Sequence, residues 1–376
     1  MNFLSTENQI LLEDLHSIAY DISVSWSAFN DKTVLITGAT GLIGGLLVKA
    51  ILYANLAHNN QTKIIAVVRD KFRASKMFSP YTNCHELKFY EADIAKEIEI
   101  DEEIDYIIHC ASITQSKLFV ETPLDVIKTT LWGSDNLLKL ARRKNTASMV
   151  YLSSMEVYGT FNDKEKISED DLGYINPLAA RSSYSESKRA TETLCYAYFK
   201  QYGLPVKIAR LTQTFGPGVS HDDSRVFAQF CRNAMQGLDI VLHTLGETKR
   251  DYLYSADAVT ALLIMLLKGE SGQAYNVANP ATYITIRDMA ELVARNCAVE
   301  PVRVVVDIPD NLSKMGYAPT VKLNLDTSKI ESLGWQAKTD LPKMYRRLIL
   351  FLQQDQTNQR MQSLRFGNNF FKDRAS

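Results

Sequence analysis

Apolar positions at the start of the chain fall at helical spacing. Ile10, Leu11, Leu15, Ile18, Ala19 and Ile22 recur with acidic and polar residues between them, which predicts an amphipathic helix over 8–22. Such a helix must bury its apolar stripe on the main body or on a partner subunit. The period then shortens. Thr33–Thr37 is a β-branched run that ends in glycines, and a helical pattern follows from Leu42 to about Leu56. A second strand is predicted at Lys63–Val68, and others at Leu87–Tyr90, Tyr106–Cys110, Met149–Ser153 and Val206–Arg210. Helical patterns around 122–144 and 184–202 separate most of them. Continuous apolar strands alternating with helices predict an α/β fold, with a parallel sheet covered on both faces.

The rhythm changes after about residue 212. Phe215-Gly216-Pro217-Gly218 interrupts it, and the later strands are shorter and more polar. This predicts a helical extension over 1–30 and a main domain over 31–212, with 257–275 returning to its sheet. A smaller α/β substrate-binding domain is expected from 213–256 and 276–352, and 353–376 reads as a polar tail.

Charge and composition narrow the possibilities. The 42 basic and 43 acidic side chains leave a formal charge of −1, so nothing marks a nucleic-acid or anionic membrane surface. No apolar run approaches the roughly 18–20 residues that span a bilayer. The five cysteines are scattered, without a CxxC pair, and the six histidines lack ligand spacing. Neither a disulfide framework nor a metal site is expected. With no secretory signal in the first residues, a reducing cytoplasm is the expected compartment.

The chemistry begins at Gly38-Ala39-Thr40-Gly41-Leu42-Ile43-Gly44, between the first strand and its helix. A tight turn there needs glycine, and close approach of a pyrophosphate excludes side chains. The helix N-terminus offers unpaired N–H groups to the phosphates. Strand, loop, helix and second strand supply the context for a dinucleotide site, so the sheet is predicted to be Rossmann-like and doubly wound. The second strand closes on Arg69-Asp70. Aspartate suits the ribose hydroxyls of NAD and arginine the extra phosphate of NADP, so either cofactor is compatible.

Tyr151–Gly159 ends another strand with Ser154, Met155 and Glu156, and Tyr184-Ser185-Glu186-Ser187-Lys188 follows on a helix. The i, i+4 spacing puts Tyr184 and Lys188 on one helical face. An ammonium beside a phenol, helped by a positive nicotinamide ring, favours the phenolate and makes it a general base. Ser154 is placed to hold the substrate hydroxyl. Glu156 is a candidate base beside the ketone that oxidation would leave.

On these motifs the chain, over about 32–350, resembles the extended short-chain dehydrogenases/reductases, the NAD-dependent epimerase/dehydratase group. Glu91–Ile94, Ile107–Ser112, Phe215–Pro217 and Arg250 through Asp257 add to the likeness. The stretch from Asn176-Pro177 to Gly216-Pro217 is most similar to UDP-glucuronate decarboxylases. The resemblance implies Asp93 and Ile94 at the adenine and Ala111 and Ser112 along the cofactor. It also implies Arg250 at a substrate diphosphate, with Met155, Arg181, Gln213 and Arg225 in the substrate site. It further implies a tightly bound NAD or NADP and a homodimer paired through the helices near 122–144 and 184–202. The family's asparagines are replaced by Thr130 and Gln213, an arginine is missing near Leu323, and Met155 stands where glucose 4,6-dehydratases carry aspartate.

The expected reaction is a cycle on a nucleotide-sugar. Tyr184 takes a proton from a hydroxyl on C4 as NAD(P) accepts the hydride, and epimerisation, dehydration or decarboxylation then follows. Two alternatives compete: an NADP-dependent reductase of a small carbonyl compound, and a non-catalytic binding protein on the same fold.

Overall fold

The computed structural model describes residues 3–161, 164–310 and 320–372. The first strands are β1 (Thr33–Thr37), β2 (Lys63–Val68), β3 (Leu87–Glu91) and β4 (Tyr106–His109). β5 (Ser148–Ser154) and β6 (Val206–Leu211) follow. With β10 (Ala274–Val277) they form a seven-stranded sheet in the order β10-β6-β5-β4-β1-β2-β3. Every pairing in it is parallel. The doubly wound arrangement is therefore present, and the strand order reverses between β1 and β4. Open α/β sheets bind ligands at that reversal, beyond the carboxyl ends of the strands.

Helices cover both faces. On one lie α2 (Leu42–His58) and α8 (Ser255–Lys268), both nearly all apolar, as an element buried on most sides requires. On the other, α5 (Pro123–Arg143) and α6 (Ser182–Tyr202) pack together. Two shorter helices, α3 (Lys71–Met77) and α4 (Ser116–Glu121), follow β2 and β4.

A second group of strands begins after β6. β7 (Gln213–Phe215), β9 (Lys249–Tyr254), β11 (Asn279–Thr285) and β13 (Lys322–Leu323) form a four-stranded sheet. β8 (Ile240–Leu242) pairs with β12 (Val304–Val306). The helices α7 (Val226–Gln236), α9 (Ile286–Asn296) and α10 (Ser328–Glu331) accompany them. Residues 311–319, within the segment expected to form the substrate-binding domain, lie outside the described residues.

The chain ends depart from the sequence reading. The first helix, α1, spans Gln9–Ala19 and docks on its own chain, against α2, α8 and the last helix. Ile22, assigned above to its apolar stripe, lies beyond it and is fully exposed. Residues 353–372 of the expected polar tail are helical. Helix α11 runs from Leu341 to Lys372, because Gln, Arg, Met and Leu are good helix formers even where the polar pattern predicts no burial. Residues 373–376 of that tail, and 1–2 of the extension, lie outside the described residues. Asp14 of α1 accepts hydrogen bonds from Tyr254 Oη at 2.7 Å and from Arg347 Nη2 of α11 at 2.7 Å. Arg347 also donates to the Ile10 carbonyl at 2.8 Å.

Candidate active site

Three neighbouring strands end in step. Thr37 of β1 is in register with His109 of β4, and His109 with Tyr151 of β5. Gly38, Cys110-Ala111 and Leu152-Ser153-Ser154 therefore lie side by side at the carboxyl edge of the sheet. Thr37 Oγ1 meets His109 Nδ1 at 2.7 Å and accepts the Ala111 N–H at 3.1 Å. Burial holds His109 down to about 3, with Lys188 adding to the effect, so the ring is a neutral spacer.

The glycine loop meets the geometric demands of a dinucleotide. Gly38 has φ of 64°, and a Cβ there would stand 2.8 Å from the Ala111 backbone. A Cβ at Gly44 would sit 2.3 Å from the Gly38 carbonyl oxygen, so only glycine lets α2 start this close to the turn. Gly41 caps α2 without a side-chain hydrogen bond, leaving the first N–H groups, near Leu42 and Ile43, for an anion. Thr40 is half-buried in the same loop. Nearby, Ser112 Oγ is buried without a partner, as expected of a hydroxyl whose acceptor or donor belongs to a ligand.

The other cofactor candidates lie along β2 and β3. Asp70 caps α3, its Oδ1 accepting the Arg73 N–H at 2.9 Å, with Arg69 exposed beside it. One carboxylate oxygen is thus committed to the helix rather than to a ribose. Asp93 is exposed and turns back to its own chain, accepting the Ala95 N–H at 3.0 Å. Ile94 is buried, and its Cδ1 would stand 2.6 Å from a Cβ added at Gly133, so this glycine lets α5 lie against it. Thr130 Oγ1, one turn earlier, is buried without a partner.

The chemical cluster forms on β5, its following turn and α6. Tyr184 is 8 % and Lys188 3 % exposed. Lys188 Nζ donates to the Leu152 carbonyl at 2.7 Å and stands 5.8 Å from the Tyr184 ring centroid. Burial lowers Lys188 to about 8, partly offset by Glu192. The Tyr184 phenol is pushed well above its ordinary value, first by burial and then by Glu156. A hydrogen bond with Ser154, Arg181 and Arg225 oppose the rise. In the protein alone, burial outweighs these opposing influences and favours the neutral phenol.

Arg181 clasps Glu156 with two hydrogen bonds, and Ser185 Oγ donates to the same carboxylate at 3.3 Å. Met155 is buried beneath, 3.2 Å from Thr212 Oγ1. Arg225 is paired with Asp223 at 2.6 Å. Gln213 and Arg250 belong to the second sheet, on β7 and β9, and Arg250 Nε is buried without a partner. Leu323 is buried beside Arg250 in the register of β13.

The residue-by-residue reading had no signal for Phe119. Its ring stacks on Tyr184 from α4, a segment too short and irregular to show a period. No group of metal-ligating side chains occurs among the described residues, and no described helix is long and apolar enough to cross a membrane.

Known proteins resemble this chain in sequence and in fold. UDP-glucuronic acid decarboxylase 1 of Xenopus tropicalis is 30 % identical over 310 residues, covering 79 % of this chain and 71 % of that protein. UDP-glucuronic acid decarboxylase 5 of Arabidopsis thaliana is 30 % identical over 83 % of this chain and 86 % of its own. A dTDP-glucose 4,6-dehydratase from Streptomyces venezuelae, crystallised with NAD bound, shares the fold. Its TM-score is 0.71 at 21 % identity, over 86 % of this chain and 98 % of that one. The profile of the NAD dependent epimerase/dehydratase family matches residues 34–278, and the chain belongs to that family.

Proposed function

We propose that the protein uses a tightly bound NAD to oxidise a hydroxyl, on C4, of the sugar of a nucleotide-sugar, and then epimerises, dehydrates or decarboxylates that sugar. The observation that carries the reading is the convergence of Ser154, Glu156, Tyr184 and Lys188 beside the carboxyl ends of β1 and β4, where the glycine loop opens. Gly38, Gly41, Gly44 and the start of α2 would hold the pyrophosphate, with Ala111 and Ser112 along the nicotinamide half. Asp70, Arg69, Asp93 and Ile94 would lie towards the adenosine.

A bound nicotinamide dinucleotide supplies a two-electron acceptor and, when oxidised, a positive charge beside the phenol. Tyr184 takes the proton of the sugar hydroxyl at its phenolic oxygen, and Ser154 orients that hydroxyl. Lys188, anchored on the Leu152 carbonyl, keeps a cation behind the phenol. Glu156, fixed by Arg181, faces the carbon next to the new ketone. Arg225 and Arg250 supply positive charge for a diphosphate, and Met155 and Gln213 line the sugar pocket.

Two of the relatives at 30 % identity are decarboxylases, which supports loss of CO2 as the second step. A homodimer in a reducing cytoplasm completes the reading. Leu124 and Trp132 on α5 and Tyr196 and Tyr202 on α6 are exposed apolar residues suited to pairing.

The test is incubation of the purified protein with a panel of nucleotide-sugars, read by mass spectrometry and NMR. Loss of carbon dioxide, loss of water, or inversion at unchanged mass would each identify the second step. Stoichiometric consumption of added NADPH by a small carbonyl compound, with no sugar turned over, would overturn the proposal in favour of a net reductase.

A further inference from the structure

The ring of Phe119 lies flat on the ring of Tyr184, with centroids 4.3 Å apart and planes 6° from parallel. Phe119 is 2 % exposed. Its carbonyl accepts a hydrogen bond from Ser183 Oγ at 3.0 Å, which fastens α4 to α6 one residue before the tyrosine. Val126 of α5 and the half-buried Ile113 close an apolar cluster around the two rings. The Arg181 guanidinium carbon stands 5.6 Å from the Phe119 centroid. One aromatic side chain therefore bears on both the phenol ring and the cation that holds Glu156.

We infer that Phe119 is a positioning residue for the proposed reaction, fixing the plane of the Tyr184 ring and keeping water from it so that the phenolic oxygen keeps one direction. This rests on the reading of Tyr184 as the base. Turning the ring about its own axis leaves the phenolic oxygen in place but swings its in-plane lone pairs, and packing against neighbours fixes that plane. The flat contact also resists tilting of the whole side chain, and misplacing the reacting oxygen by about 1 Å costs roughly a hundredfold in rate.

The groups facing the phenol are Glu156 from the turn after β5, Arg181 just ahead of α6, Lys188 on α6, Arg225 ahead of α7, and Tyr151 and Ser154 of β5. From α4 and α5 come Phe119 and Val126. Removing the phenyl ring admits water, and water favours the charged phenolate. The same change that makes the phenol more acidic also leaves it less well aimed. Rate and titration then move in a combination that simple destabilisation would not produce.

The experiment compares the full chain, loaded with NAD, as wild type, Phe119→Ala, Phe119→Leu and Phe119→Tyr. Each is labelled with fluorotyrosine, and the Tyr184 signal is identified by its loss in Tyr184→Phe. Fluorine NMR follows that resonance against pH, and turnover of the nucleotide-sugar found active is measured in parallel. Phe119→Ala is expected to lower kcat by about tenfold or more. The rising limb of its pH profile and the Tyr184 titration should move to lower pH, with NAD content unchanged. Phe119→Tyr should restore most of the rate. An unmoved resonance and wild-type kcat in Phe119→Leu or Phe119→Ala would overturn the inference, and Phe119→Leu decides if the alanine variant fails to fold. If wild type turns over no nucleotide-sugar, the proposed function fails, while the resonance still reports whether Phe119 governs Tyr184.

Discussion

Arg181 grips Glu156 with both terminal nitrogens, Nη1 to Oε2 at 2.8 Å and Nη2 to Oε1 at 3.2 Å. A fork-shaped pair fixes the carboxylate plane as well as its charge. Glu156→Gln replaces one acceptor by an amide N–H that faces a cation. The expected outcome is a first oxidation that persists while formation of the final sugar falls about a hundredfold. Single-turnover absorbance of reduced nicotinamide, with product analysis in parallel, separates the two. Wild-type product formation in the variant would remove Glu156 from the second step.

Tyr184→Phe deletes the phenolic oxygen and keeps the ring against Phe119. Cofactor content should therefore hold, while turnover falls by about a hundredfold or more. The measurement is the nucleotide content of the purified variant beside its kcat. Full turnover would show that another group takes the proton.

Lys188 is held at about 8 by burial, below its ordinary 10.5. The folded protein thus releases this proton before the unfolded chain does, and between those values stability rises with pH. Activity should go the other way. As pH climbs through about 8 the ammonium behind Tyr184 is lost, and kcat/KM should fall. A pH profile of the enzyme checks this, and Lys188→Met should be low at every pH.

Asp251, wholly buried on β9, is raised from 3.8 to about 7 by burial, with the Leu325 N–H and Lys166 giving only partial relief. Its Oδ1 has no partner. The fold holds this proton more tightly than the unfolded chain does. Stability that is complete below the unfolded value is lost as pH rises through about 7. Asp251→Asn removes the titration. Melting curves at pH 5 and pH 8 should show wild type losing more stability than the variant over that interval, and equal losses would show that Asp251 does not titrate there.

Much of the site was legible because its signals are local. The glycines follow a β-branched strand at once, and Tyr184 and Lys188 sit one turn apart on a helix. Ser154 closes a strand whose apolar run is plain, and Glu156 follows in the next turn. The shifted state of the phenol was not legible, since burial is a property of the packed site rather than of the spacing. Phe119 reaches Tyr184 from 65 positions away, through a helix of six residues. The terminal helix was missed for another reason. Beyond Leu352 its sequence is rich in Gln, Asn and Arg, and the period that locates a helix comes from apolar residues on one face.

The docking of α1 bears on how the molecule is assembled. The carboxyl of Asp14 meets Arg347 across 333 positions of sequence. Helix α1 meets α2 close by in sequence, but its ion pair with α11 closes only when the far end of the fold is in place. Contacts of such separation form late and slowly. Asp14 and Arg347 thus act as a clasp between distant parts of the chain, fastened after the sheet that they span.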